Sequence, residues 1–156
     1  MKYLIILFLS SVMFLACSNP KVAKLTSVEQ DQCQNEQEIV NKENFAGMTV
    51  EGLIFDIKKD AATDDPEVTK NVVIAAMQVR SYCNAKIAFD IDEEYNEIFL
   101  RLRNANDQED DCVCEKQVRV EITDLVPATY NVKVTDATGR QLLADGQFTV
   151  AQEQNY

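Results

Sequence analysis

Cys112-Val113-Cys114-Glu115-Lys116-Gln117-Val118-Arg119-Val120-Glu121-Ile122 is the stretch on which the reading of this chain turns. Cys112, Cys114, Lys116, Val118, Val120 and Ile122 share one parity, and Gln117, Arg119 and Glu121 take the other. A period of two places one set on a core and the other in water, which is the pattern of a half-buried strand.

The same texture extends on both sides. Cys83, Ala85, Ile87, Phe89 and Ile91 alternate with polar or small residues, and Ile98, Leu100 and Leu102 alternate with Phe99, Arg101 and Arg103. Leu53, Phe55 and Ile57 form a further alternating set after Met48. Downstream, Tyr130-Asn131-Val132-Lys133-Val134 leads through the turn residues Asp136-Ala137-Thr138-Gly139 into a last strand over 141–150, the layout of a hairpin. Segment 67–82 supports two readings. Asp65-Pro66-Glu67 is a helix start with proline at the first helical position, and Val68, Val72, Ala75, Ala76 and Val79 would share a helical face. Against it stand the β-branched run Val72-Val73-Ile74 and the alternation over 78–83, so a strand is favoured. The expected fold is mainly β, an antiparallel sandwich of short strands with room for one short helix.

Parity also orders the cysteines. Cys83, Cys112 and Cys114 all fall in phase with core positions, so their sulfurs should point inward, where strands can be bridged. With Cys33 they make an even set of four, read as two disulfides. Cys83 is expected to pair with Cys112 or Cys114, and Cys33 with the other. A redox role for Cys112 and Cys114 is the alternative. Reactive thiols need nearby positive charge, whereas Glu109, Asp110, Asp111 and Glu115 surround this pair.

The chain opens with Lys2 followed by the apolar run Leu4–Ala16 and Cys17. One cation, a short apolar stretch and a small residue form the layout of a signal peptide, too short to span a membrane. Phe14-Leu15-Ala16-Cys17 resembles the lipobox of bacterial lipoproteins, with Phe14 where leucine is usual. The resemblance implies cleavage after Ala16 and acylation of Cys17, because several acyl chains hold a domain on a bilayer where one does not. Ser18, in place of an aspartate, favours the outer membrane. The expected organisation is a leader over 1–16, a lipidated polar tether over 17–44, in which Glu36-Gln37-Glu38-Ile39-Val40-Asn41-Lys42 could form a helical turn or two, and a β domain over 45–156.

Net charge is −11, and loss of Lys2 with the leader makes the mature chain one unit more negative. Such acidity opposes nucleic acid and anionic lipid surfaces. No histidine is present, which removes Ser-His-Asp and Cys-His catalysis and the usual zinc sets. The four glycines are isolated, so no phosphate loop exists. The carboxylates Asp90, Asp92 and Glu94 alternate in a way that could present oxygens to calcium, but they lack the glycine turn of an EF-hand. With no tryptophan there is also no obvious sugar platform.

Leu125, Pro127, Tyr130, Val132, Val134 and Gly139 match a further pattern. The stretch Ile122–Gly139 resembles the penultimate-strand signature of bacterial immunoglobulin-like and fibronectin-type modules, with Ala128 where glycine is commoner. A cysteine before one alternating strand and Cys-x-Cys in a later one is similar to small secreted bacterial sandwich lipoproteins. These resemblances imply an immunoglobulin-like sandwich over about Met77–Val150 and say little about activity. The expectation is a non-enzymatic, cofactor-free envelope lipoprotein, held to the membrane by its lipid and meeting an envelope protein partner rather than nucleic acid. Calcium or carbohydrate binding through the acidic loops is the first alternative, and thiol-redox chemistry at Cys112 and Cys114 the second.

Overall fold

A computed structural model describes residues 23–39, 47–60, 70–106 and 109–152. The leader over 1–16 and Cys17 lie outside the described residues. Nine strands are formed: β1 (Lys24–Gln30), β2 (Gln34–Glu38), β3 (Thr49–Asp60), β4 (Lys70–Tyr82), β5 (Ile87–Glu94), β6 (Glu97–Asn104), β7 (Cys112–Thr123), β8 (Ala128–Thr135) and β9 (Leu142–Val150). There is no helix among the described residues.

β7 organises the first sheet. It pairs with β4 along its whole length on one side, from Val73↔Ile122 to Tyr82↔Val113. Its other edge is shared by β1 and β2, and the order β1-β7-β4-β3 closes with β3 at the far edge. The second sheet has the order β5-β6-β8-β9. β5–β6 and β8–β9 are antiparallel, while β6 and β8 run parallel, from Glu97↔Asn131 to Arg101↔Thr135. The chain leaves β6 for the first sheet, runs along β7 and returns, so β8 re-enters in the direction of β6.

Both inner faces feed one apolar cluster. β4 contributes Val73, Ala75, Met77 and Val79, and β7 contributes Val118, Val120 and Ile122. They meet Ile98, Leu100 and Leu102 of β6, and Tyr130, Val132 and Val134 of β8. A shared core between two sheets is the sandwich arrangement.

Segment 67–82 is therefore a strand where it is described. The core requires Val73, Ala75, Met77 and Val79 at period two, and Val72 and Ala76, which a helix would have shared with them, face outward and are half-exposed. Cys83 lies in a turn ahead of β5 rather than in the strand itself.

The tether boundary needs correction. Residues 24–30 and 34–38 are strands of the first sheet, and Glu36-Gln37-Glu38 is extended, with Gln37 opposite Val113 and Glu38 opposite Cys112. The physical reason is the free edge of β7, whose backbone donors and acceptors this segment satisfies.

The sheets close tightly at one side. A Cβ built on Gly146 of β9 would lie 2.7 Å from Cε2 of Phe55 on β3, so the missing side chain is what lets the ring enter. Phe55 packs on Phe148 with centroids 5.2 Å apart, and Phe148 stacks on Tyr130 at 5.4 Å. Gly52, at φ 66, sits in the irregularity between Glu51 and Ile54. After it Phe55 faces inward and Ile54 is 65% exposed.

Candidate functional site

Two places concentrate chemistry. The first is at the start of β7. Cys83 is bonded to Cys112 and Cys33 to Cys114, each pair with Cα atoms 5.5 Å apart. This is one of the two connectivities that parity left open. Antiparallel pairing explains the first bridge, since the Cys83 N–H donates to the Cys112 carbonyl at 3.0 Å. The second pins the break between β1 and β2 to the opposite edge of β7. Both bridges thus lie within one sheet, on either side of a single strand. Cys112 and Cys114 are partners of different bridges rather than of each other.

Lys116, two residues on and in phase with the cysteines, is only 3% exposed. Its Nζ donates to the Ala85 carbonyl at 2.5 Å and to the Tyr82 carbonyl at 3.4 Å. Those carbonyls flank Cys83, and the Ala85 N–H donates to the Tyr82 carbonyl at 3.0 Å. The buried ammonium therefore ties β7 to the turn that carries Cys83. Burial lowers its pKa from the ordinary lysine value, since a low-dielectric surrounding disfavours the charged form. The sequence put Lys116 on the core side but gave no sign of what its amine would meet.

The second place is the outer face of the β5-β6-β8-β9 sheet. Asp90 and Asp92 project there from β5, but each is held by an arginine of β6. Arg103 Nε lies 3.1 Å from an Asp90 oxygen, and Arg101 lies 2.5 Å from Asp92. The register sets Asp90 opposite Arg101 and Ala88 opposite Arg103, so the ion pairs run along the diagonals of the ladder. Lys133 of β8 pairs with Glu97 at 2.9 Å and sits 5.4 Å from the centroid of Phe99.

Arg101, Lys133 and Phe99 from this set, with Arg140 and Leu142, line an open groove of about 820 Å³. Asp92 and Glu94 line its acidic flank. Thr135, 7% exposed, also lines it, and its Oγ1 has no hydrogen-bond partner. The hairpin at one end is braced by Asp136. Its carboxylate accepts from Thr138 Oγ1 at 2.6 Å, the Arg140 N–H at 2.9 Å and the Gln141 N–H at 3.0 Å. The Thr138 hydroxyl, followed by the Gln141 and Arg140 amides, lowers the Asp136 pKa.

Of the calcium candidates, the structure places Asp90, Asp92 and Glu94 on one exposed face and engages the first two with guanidinium groups. Among the described residues, the group that brings three metal-ligand atoms within 4.8 Å of one another is Cys33, Cys83 and Cys114. Phe99, Arg101 and Arg103 were legible only as the outward half of an alternating strand, and their convergence with β5 and β8 depends on register. No family model, curated protein or solved structure matches the chain.

Proposed function

We propose that this protein is a lipid-anchored, non-enzymatic module of the bacterial envelope, which binds another envelope protein through the outer face of the β5-β6-β8-β9 sheet. The observation that carries the binding face is the groove with Phe99 and Leu142 at its floor and Arg101, Lys133 and Arg140 around them. Aromatic and arginine side chains grouped on an open surface are the composition of protein contact patches. The alternation of Asp92, Arg101, Glu97 and Lys133 across the face suits a partner surface that itself carries both charges. Support for export comes from the leader pattern ending at Cys17 and from the two disulfides, which accord with an oxidising compartment. The absence of histidine is consistent with a binding rather than a hydrolytic role. Calcium draws less support, because Asp90 and Asp92 are already neutralised by arginines.

Two measurements test this reading. Intact mass of the protein extracted from membranes is expected to show a chain beginning at Cys17 with added diacylglycerol and acyl mass. A chain beginning at Met1 or cut elsewhere would refute the anchor. Reversal of two of the groove's cations, Arg101→Glu with Arg140→Glu, is expected to weaken association with the envelope partner at least tenfold. Unchanged association in a folded double variant would refute the binding face.

A further inference from the structure

The two disulfides are close neighbours. Sγ atoms of Cys33, Cys83 and Cys114 lie within 4.8 Å of one another, although they belong to two different bridges. Cys33 Sγ is also 3.2 Å from the carbonyl oxygen of Cys83, which seats that sulfur directly against the Cys83 residue. Cys112 lies outside the close group, so the sulfurs are ordered with Cys112 at one end, Cys83 next, and the Cys33–Cys114 bridge beyond. Cys33, Cys83 and Cys112 are half-buried and Cys114 is fully buried, so solvent reaches the Cys83–Cys112 bridge. Attack on Cys112 is the one that releases a thiolate, Cys83, beside the second bridge.

Disulfide exchange needs a thiolate placed to attack a disulfide sulfur, and its rate depends on access and on which sulfur leaves. From this arrangement we infer that Cys112 is a mixed-disulfide site for an external thiol and that Cys83 passes the exchange inward. The steps balance without any oxidant or reductant beyond that thiol. An incoming thiolate bonds to Cys112 Sγ, the Cys83–Cys112 bond breaks, and Cys83 departs as a thiolate. Cys83 then bonds to Cys33 Sγ, the Cys33–Cys114 bond breaks, and Cys114 departs as a thiolate that takes a proton from water. One bridge and one mixed disulfide stand where two bridges stood, and the edge segment β1–β2 is re-tied from β7 to the Cys83 turn.

The surroundings select the thiol. Asp110, Asp111 and Glu115 lie next to the two β7 cysteines in sequence, and negative charge repels an anionic reagent. Neutral or cationic thiols are therefore the chemical class this site accepts.

The test is Cys112→Ser, purified without reductant, quenched with acid, alkylated and mapped by mass spectrometry. Removing Cys112 leaves Cys83 as a thiol beside an intact bridge. The expected result is two isomers, one with Cys33–Cys114 and one with Cys33–Cys83. Complete alkylation of Cys83 with Cys33–Cys114 as the sole bridge would overturn the inference. Wild-type protein treated with limiting cysteamine provides an arm that does not depend on the variant folding. Cysteamine is expected on Cys112 together with a Cys33–Cys83 bridge, and at a rate roughly threefold or more above that of anionic glutathione. Modification of Cys83 instead, an intact Cys33–Cys114 bridge in the adduct, or equal rates for the two thiols would contradict it.

Discussion

Tyr130→Phe isolates one hydroxyl at the point where β8 enters the core. Tyr130 is 1% exposed, and its ring stacks on Phe148 at 5.4 Å. Its hydroxyl donates to the Val126 carbonyl at 3.1 Å and accepts from the Val126 N–H at 3.2 Å. The ring survives the substitution and the two bonds do not. Val126 is exposed, so water can take over its backbone groups, and the cost is that of the bonds alone rather than of an orphaned buried group. That cost is about 1–2 kcal/mol, a fall in Tm of about 3–6 °C for a domain of this size. Tyr130→Ala adds the lost ring and should cost about 3–5 kcal/mol. Urea and thermal unfolding followed by circular dichroism give both values. The pH dependence supplies a second reading. Burial raises the Tyr130 pKa, its bond to Val126 partly offsets this, and the charge of Glu93 adds a smaller upward push. Above the ordinary value of 10.0 the folded chain keeps a proton that the unfolded chain releases, so wild-type stability falls as pH rises there. The phenylalanine variant lacks that loss, and the gap between the two proteins should narrow above pH 10.0. A cost under about 0.5 kcal/mol, or a loss as large as that of Tyr130→Ala, would refute the assignment of the hydroxyl as a backbone clamp.

Three further substitutions probe other joints. Gly146→Ala places a methyl carbon 2.7 Å from the Phe55 ring and should lower stability by about 1–3 kcal/mol in urea unfolding, the range for overpacking; a neutral result would mean the ring has free space to retreat. Asp136→Asn removes a carboxylate whose folded pKa is lowered, so the wild-type advantage should be present above pH 3.8 and fade as pH falls through the folded value; a gap that persists in acid would exclude the charge as its source. Lys116→Met leaves the Ala85 carbonyl without its amine donor and should cost about 1–2 kcal/mol at neutral pH. Because the folded pKa of Lys116 is lowered, the folded chain sheds its proton before the unfolded one, and wild-type stability gains as pH rises toward 10.5. The gap to Lys116→Met should therefore widen over that range, and a gap that shrinks would contradict the burial argument.

The strands that sequence patterning located are those with unbroken alternation into the core. β7 and β6 are the clearest, with Val118, Val120 and Ile122 facing Ile98, Leu100 and Leu102. The N-terminal strands were hidden for two physical reasons. In β1 a shift of register between Leu25 and Ser27 carries Leu25 and Val28, three residues apart, to Ile122 and Val120 of the same face, which destroys the period of two. In β2 every residue is exposed, so the strand is held by backbone pairing and one disulfide and carries no hydrophobic signal. The bulge at Gly52 likewise brings Val50 and Leu53, three residues apart, to the core side, which interrupts the period of two at the start of β3. Cysteine parity narrowed the bridges to two connectivities, and the choice between them required knowing that Cys83 follows Tyr82, the residue opposite Val113. The groove face was the least legible, since Asp92 with Arg101 and Glu97 with Lys133 are joined only by cross-strand register.

Binding through the β5-β6-β8-β9 face is tested most directly by a photo-crosslinking residue placed at Phe99, with a matched one at Arg119 on the outward face of β7, in cells carrying the full-length protein. Adduct to a distinct envelope protein is expected from position 99 and not from position 119, and it should disappear when Arg101 and Arg140 are reversed in charge. Adduct from 119 alone, or equal adduct from both faces, would contradict it.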